Sequence, residues 1–301
     1  MNPVVSIVTL NWNRRQDVLR TLFSIYSQTY EPKEIIVVDN GSSDQSVNAI
    51  QSGFPQTKII ALSQNKGVEG YNVGMEAASG EFILLIDNDM DLLQNDTVQH
   101  VVAAFAQNPK LGAVALQVRN PDQTLSPNNP KFWNEKGDDE RGYACSTFDG
   151  GGVALRKSLL KQTGYYLPEF FVYHSEVDLS TRIWDSGFEI RYFPGIAVTH
   201  RESPVSRNVA MQTFYTTRNY LWYVWIYYPF SMKVFETFHF LQRSFIQNVR
   251  RGRPLGAWFR GVGAAIFKWH TISHRRKSAK AETLRWMQQL RDKDREQKEG
   301  A

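Results

Sequence analysis

The first 120 residues alternate between short runs of Val, Ile and Leu and segments with helical periodicity. The runs predict strands at 4–10, 34–38, 57–62, 81–86 and 111–116, and the periodic segments predict helices at about 16–28, 44–51, 68–78 and 96–107. The strand runs are almost continuously apolar, which indicates strands that are covered on both faces. We therefore expect an α/β fold with a mostly parallel, doubly wound central sheet.

The alternation stops after Asn120. Residues 121–142 predict a long polar loop, 148–155 a glycine-rich strand, 175–187 a helix, and 188–199 two short strands around Pro194 and Gly195. Beyond Asn208 the chain is aromatic and helical. We expect a catalytic domain at 1–207, with halves at about 1–118 and 119–207. A helical region at 208–301 would follow, with its last dozen residues frayed.

Composition and charge indicate the compartment and the binding partners of the chain. Cys145 is the single cysteine, so no intramolecular disulfide is possible, which fits a reducing compartment such as the cytoplasm. Neither a signal peptide nor an apolar run of about 18 residues is recognisable. The net charge of +5 is uneven, because the stretch from Arg243 to Lys280 has many basic residues and no acidic one. An anionic membrane surface is the expected partner, with a homo-oligomer interface or plain packing as alternatives. Nucleic acid is disfavoured, because no recognition module accompanies the charge.

Acidic residues follow the predicted strands at the points where the apolar runs end. Asp39 ends one run, and Asp87 and Asp89 follow another. Ligands of open α/β sheets bind at the carboxyl edge. Alternate side chains of an extended segment point to the same side, so Asp87 and Asp89 can face one ligand. Hard oxygen ligands of this kind suit Mg²⁺ or Mn²⁺ bridging to substrate phosphates.

The first strand-to-helix turn, Thr9 to Arg14, has polar side chains where a dinucleotide fold would need Gly-x-Gly-x-x-Gly. This argues against NAD and FAD. Asn11 and Asn13 can hydrogen-bond a base or a sugar, or they can cap the following helix. Asp39, at the neighbouring strand end, can accept the imide N3–H of uracil or thymine.

These segments resemble the family 2 nucleotide-sugar glycosyltransferases of the GT-A fold, most closely the rhamnosyltransferase-like members. The resemblance covers roughly residues 4–225 in the family's order and spacing. Its matching segments are Val5–Arg14, Ile36–Asp44, Asn65–Gly67, Asn72–Gly74, Ile86–Asp89, Gly150–Arg156, Ser175–Leu179 and Pro194–His200.

The resemblance implies roles for individual residues. Thr9 and Asp39 would bind the base, and Asp87 would contact the ribose or the diphosphate. Asp89 would bind the metal, with His200 as its second protein ligand. The side of the nucleotide-sugar pocket would be lined by Asn65, Gly67 and Asn72.

The base that deprotonates the acceptor hydroxyl is expected in Ser175–Leu179, where the sequence departs from the family's Glu-Asp-x-Asp-Leu pattern. Alignment on Val-Asp-Leu puts Glu176 at the base position, with Ser175 where a Glu is usual. We expect Glu176 to be the base. Asp178 is the alternative base, or else it orients the acceptor or caps a helix.

The resemblance implies an inverting, one-step, metal-dependent transfer. The expected donor is dTDP-rhamnose, then a UDP-sugar, and the expected acceptor is a cell-surface glycan or a lipid-linked one at the cytoplasmic membrane face. A nucleotidyltransferase and a non-catalytic glycan- or membrane-binding relative are the alternatives.

Overall fold

The computed structural model describes residues 2–126, 140–201 and 208–299. Much of the predicted loop 121–142 lies outside these residues. The described chain forms one nine-stranded sheet, flanking helices and a C-terminal helical region.

The strands and helices of the first half lie close to their predicted positions. The strands are β1 (Val5–Asn11), β2 (Lys33–Asp39), β3 (Lys58–Ala61), β4 (Phe82–Ile86), β5 (Met90–Leu92) and β6 (Leu111–Arg119). The helices between them are α1 (Arg15–Tyr26), α2 (Ser46–Gly53), α3 (Glu69–Ala77) and α4 (Thr97–Gln107). Only β5, three residues long, had no counterpart in the sequence prediction.

The second half and the C-terminal region complete the fold. The strands are β7 (Tyr143–Ala144), β8 (Gly152–Arg156) and β9 (Glu189–His200). The helices are α5 (Lys157–Thr163), α6 (Ser175–Asp185), α7 (Val209–Tyr227), α8 (Phe230–Arg250), α9 (Leu255–Phe267) and α10 (Ala281–Glu299).

The sheet is covered on both faces, as the continuous apolar runs predicted. All five residues of β4 are buried. Along β1, Val5 and Ile7 pack into the core under α1, whereas Val8 packs into the core under α3. Successive strand side chains point to opposite faces, so two cores require apolar residues at nearly every position. Helix α1 meets its core with Val18, Leu22 and other buried residues at helical spacing.

The strand order is β3-β2-β1-β4-β8-β6-β9-β5, and β7 pairs with β9. The first four strands are parallel, β8 runs antiparallel between β4 and β6, and β9 is parallel to β6. The predicted α/β fold with a helical C-terminal region is therefore confirmed, and the sheet is mixed beyond β4.

One predicted detail differs from the structure. Residues 189–200 form one strand, not two, because β9 absorbs Pro194 and Gly195 in a register shift opposite β6 and then continues to His200. The prediction that the last dozen residues fray concerns a segment that lies partly outside the described residues, and helix α10 ends at Glu299.

Candidate active site

The carboxyl edge of the parallel strands gathers the predicted site residues. Asn11 and Asp39 are register partners at the ends of β1 and β2. Asp87 directly follows β4, two strands from Asp39 in the sheet order. Strand pairing by itself therefore places these residues side by side at the edge of the sheet.

A buried polar network surrounds Asp39. Its carboxylate accepts hydrogen bonds from the backbone N–H of Ser42 at 2.8 Å and from the Asn11 amide at 3.0 Å. The Asn11 amide oxygen in turn accepts from Asn88 at 2.9 Å. Asn11 is fully buried, so its amide holds Asp39 in place within the network. Among the described residues, the buried hydroxyl of Thr9 has no hydrogen-bond partner.

The short strand β5 brings Asp89 to His200. Met90 pairs with His200 across the antiparallel β5–β9 ladder. As a result His200 Nε2 lies 3.4 Å from Asp89 Oδ1, and Arg14 Nη1 lies 2.8 Å from Asp89 Oδ2. Burial lowers the pKa of His200, but the hydrogen bond to Asp89 and the charges of Asp89 and Asp87 outweigh it, so the pKa is raised.

These two side chains fit one edge of a divalent cation site. In the part of the chain that the structure describes, no group of three or more Asp, Glu, His or Cys side chains is arranged as a complete metal site. A cation shared with a diphosphate needs few protein ligands, since phosphate oxygens and water fill its remaining positions. Within the described chain, His200 Nδ1 is buried without a hydrogen-bond partner, and it lies on a side chain that already reaches Asp89. The Asp89 carboxylate is the donor type that suits Mg²⁺ or Mn²⁺, and His200 Nε2, which lies beside it, would add a nitrogen ligand.

Two glycines before β8 allow two carboxylates to approach the backbone closely. A Cβ on Gly151 would lie 2.3 Å from the Asp87 carboxyl carbon, and a Cβ on Gly150 would lie 2.6 Å from Glu176 Oε1. Asp87 also accepts a hydrogen bond from the Tyr71 hydroxyl. The close approach explains why glycine occupies both positions.

Glu176 lies in the first turn of helix α6 and has an unusually basic carboxylate. Burial raises its pKa to about 7, against a backbone hydrogen bond that lowers it, and the nearby Asp149 and Asp87 add to the rise. A general base works best when its pKa lies near the operating pH. The geometry therefore suits Glu176 to accepting a proton near neutral pH.

Asp149 is a site residue that the sequence prediction missed. Burial, followed by the charge of Asp87, raises its pKa to about 6, and one of its oxygens accepts the backbone N–H of Gly151 at 3.1 Å. Its position directly before the Gly150 turn was the available sequence signal. Asp149 faces the same region as Glu176 and raises the pKa of that carboxylate.

Asp178 has a different environment from Glu176. It is fully buried, forms an ion pair with Arg182 and accepts a 2.7 Å hydrogen bond from the Tyr227 hydroxyl. Arg182 also donates to the carbonyls of Thr163 and Tyr165. These contacts tie α6 to α7 and leave Asp178 an interior ion-pair residue.

Of the three residues expected along the side of the pocket, Asn65 and Gly67 are hydrogen-bonded to each other, and Asn72 binds a different segment. The Asn65 amide oxygen accepts from Asn40 at 3.0 Å and from the Gly67 N–H at 2.8 Å. Gly67 has a φ of +60°, and a Cβ there would lie 2.1 Å from the Phe171 carbonyl oxygen. Both ends of the Asn72 amide bond the backbone of Tyr166, at 2.8 and 3.0 Å. Asn72 therefore holds a neighbouring segment in the structure.

The loop 168–174, which leads into α6, is held by α7. The Asn219 amide donates to the carbonyls of Phe170, Val172 and Tyr173 at 2.9, 2.7 and 2.9 Å. Arg218 donates to Phe170 as well, at 3.0 Å. The loop needs such support, because Phe171, Tyr173 and His174 have positive φ. Helix α7 thereby fixes the backbone that positions Glu176.

The parallel half and its antiparallel continuation together form the GT-A fold of nucleotide-sugar glycosyltransferases. The model of glycosyl transferase family 2 matches residues 6–164, more than half of the chain, and the chain therefore belongs to that family. The prediction from the sequence motifs is confirmed at this level.

Known proteins similar to the chain agree with this assignment. Poly-beta-1,6-N-acetyl-D-glucosamine synthase of Staphylococcus epidermidis is 28% identical over 201 residues, which are 63% of this chain and 48% of the synthase. The chain thus spans about half the length of the curated relatives it matches.

Two solved structures share the fold. The mannosyltransferase PcManGT from Pyrobaculum calidifontis, in complex with GDP-Man and Mn²⁺, has a TM-score of 0.60 at 18% identity, covering 98% of this chain and 86% of that one. S. aureus TarS 1–349 in complex with UDP-GlcNAc has a TM-score of 0.62 at 17% identity, covering 87% and 80%.

Proposed function

We propose that the chain transfers a sugar from a nucleoside-diphosphate sugar to an acceptor hydroxyl, with inversion and with the help of a divalent cation. The single observation that carries the proposal is the convergence of a carboxylate of pKa about 7, Glu176, with the Asp87–Asp89 edge on a family 2 fold. Inverting transfer needs a group that accepts a proton, and it needs the charge of the departing diphosphate to be offset, which a cation held at the Asp87–Asp89 edge would do.

Each side chain has one task in this mechanism. Asp39, oriented by Asn11, accepts the imide N–H of the base, and the unpaired Thr9 hydroxyl offers the base a second contact. Asp87, held by Tyr71, contacts the ribose or the diphosphate. Asp89 and His200 would hold the cation, which offsets the negative charge that develops on the departing diphosphate.

Glu176 takes the proton of the acceptor hydroxyl as the oxygen attacks the anomeric carbon. The bond from oxygen to carbon forms while the bond from that carbon to the diphosphate breaks. Asp178 supports the reaction indirectly, because its ion pair with Arg182 fixes the helix that presents Glu176. Because Asp178 is held by Arg182 and Tyr227, we assign the role of base to Glu176.

The favoured donor is a UDP-sugar. TarS is described with UDP-GlcNAc, and the staphylococcal relative is named for a polymer of N-acetylglucosamine. Uracil and thymine present the same imide edge to Asp39, so dTDP-rhamnose remains the second donor to test. A growing glycan or a lipid-linked glycan is the proposed acceptor.

A donor panel tests the proposal. UDP-GlcNAc, other UDP-sugars, dTDP-rhamnose and GDP-Man are each added with Mn²⁺, and thermal stabilisation and nucleoside diphosphate release are measured with and without EDTA. We expect a UDP-sugar to stabilise the chain most and its hydrolysis to stop with EDTA. Release of pyrophosphate would indicate a nucleotidyltransferase instead. If a donor stabilises the chain but no nucleoside diphosphate is released, even with a glycan acceptor present, the chain is a non-catalytic binding relative.

A further inference from the structure

The outer surface of α8 and α9 exposes many large apolar side chains, which we call the aromatic face. Phe267 is 80% exposed, Phe230 75% and Phe238 69%. Large apolar side chains are usually buried, and a contiguous exposed group of them marks an interaction site. The aromatic face consists of Phe230, Val234, Phe235, Phe238, Phe245, Ile246, Val249, Phe259, Ile266 and Phe267.

The two helices that carry this face are firmly packed on their inner sides. Phe240 of α8 stacks on Tyr220 with ring centroids 4.0 Å apart. In α9, the Ala265 carbonyl accepts a 3.0 Å hydrogen bond from the Trp222 indole. The helices therefore have a buried side already, and the aromatic face is a second apolar side with a fixed orientation.

The charge on α8 and α9 is mostly positive, because Glu236 is the one acidic residue of these two helices. The chain has no Asp or Glu between Glu236 and Glu282. Several arginines are exposed on the same helices and the turn between them, including Arg250, Arg251 and Arg260. The basic residues of this stretch are Arg243, Arg250, Arg251, Arg253, Arg260, Lys268, Arg275, Arg276, Lys277 and Lys280.

We propose that the aromatic face docks on an anionic lipid bilayer, with α8 and α9 lying in the plane of the headgroups. Phenylalanines enter the acyl boundary while arginines pair with lipid phosphates, which is how interfacial amphipathic helices bind. A second copy of the chain is a poorer occupant, because two such faces would bring arginine against arginine with Glu236 as the one carboxylate of α8 and α9. In the described parts of the chain, no helix is long and apolar enough to cross a membrane.

Helix α7 links the aromatic face to the candidate active site. Its Asn219 holds loop 168–174 before α6, and the helix packs against α9. A groove of about 330 Å³ lies there, lined by Asn208, Ala210, Met211, Phe214 and Arg260. The docking does not depend on the proposed reaction and is measured without it.

Vesicle co-sedimentation of the full chain tests the docking. Vesicles of phosphatidylcholine alone are compared with vesicles that also contain phosphatidylglycerol, at low and high salt. We expect binding to the anionic vesicles that weakens with salt. The triple variant Arg250→Gln, Arg251→Gln, Arg260→Gln should bind them on the order of 100-fold more weakly. The triple variant Phe230→Ser, Phe238→Ser, Phe267→Ser should lose binding as well.

Phe23→Ser is the matched control, because Phe23 is 72% exposed but lies on α1, outside the aromatic face. It should bind vesicles like the wild type, and thermal unfolding should show all variants folded. The proposal is overturned if the wild type ignores anionic vesicles or if the phenylalanine variant binds them unchanged. It is also overturned if light scattering shows that the wild type and Phe23→Ser are dimers whereas the aromatic-face variants are monomers. The aromatic face would then bind a second copy of the chain.

Discussion

Replacing Asn219 with alanine removes the side chain that holds loop 168–174 against α7. Of its three acceptors, Phe170 keeps a hydrogen bond from Arg218, whereas Val172 and Tyr173 lose theirs. A carbonyl left without a partner costs about 1–3 kcal/mol, so the loss at Val172 alone lowers the free energy of unfolding by about that amount. Partial access of water to the loop favours the lower half of that range. Thermal or urea unfolding measures this loss.

The same variant should lose turnover more than donor binding. Loop 168–174 leads directly into the first turn of α6, and a displacement of about 1 Å in a catalytic group can cost 100-fold in rate. We expect kcat to fall by about 10- to 100-fold at a temperature well below the unfolding midpoint. The dissociation constant of the donor should change little, because Asp39 and Asp87 lie on other elements.

Asn248→Ala is the matched control. Asn248 is also a buried asparagine of the helical region, but its amide makes a hydrogen bond within α8, to the Ser244 carbonyl at 2.8 Å. It should lose about 1 kcal/mol of stability and keep its kcat. Equal losses of kcat in both variants, or an unchanged kcat in Asn219→Ala, would refute the positioning role.

Three further predictions concern the charged groups of the site. The ionised form of Glu176 is the base and its pKa is about 7, so kcat/KM should fall about tenfold per pH unit below that value and level off above it. Asp149→Asn removes a charge that raises this pKa, so the limb of the pH profile should move to lower pH; a limb that stays in place would show that Asp149 does not act on Glu176. His200→Ala should raise the metal concentration needed for half-maximal activity, and an unchanged metal titration would count against His200 as a ligand.

The parallel half of the fold could be predicted from the sequence because its signals are local. Asp39 and Asp87 each follow a continuous apolar run, and the carboxyl edge brings such positions together in any sheet of this kind. The residues that resist such prediction depend on contacts between distant segments. Asp89 meets His200 only because the three-residue β5 pairs with the end of β9, and three residues carry too little periodicity to be recognised.

The helix that begins at Ser175 shows the same limit. Glu176 and Asp178 are two residues apart and both acidic, so the sequence left both open as the base. Their environments differ because Arg182, one turn after Asp178, and Tyr227, in α7, surround Asp178, whereas Glu176 faces Gly150. Tyr227 is 49 residues away along the chain, and no local pattern announces its contact.

Glu176 as the base of the acceptor hydroxyl is tested most directly by Glu176→Gln, assayed for donor binding, turnover and stability together. We predict an unchanged dissociation constant for the donor, a loss of turnover of about 100-fold or more, and no loss of stability at pH 8. Stability should not fall because the fold raises the pKa of Glu176 above its value in the unfolded chain. At pH 8 the ionised side chain therefore opposes folding, whereas a neutral glutamine does not. Asp178→Asn should instead destabilise the fold, because it weakens the buried pair with Arg182. Turnover in Glu176→Gln within a few-fold of the wild type would contradict the assignment.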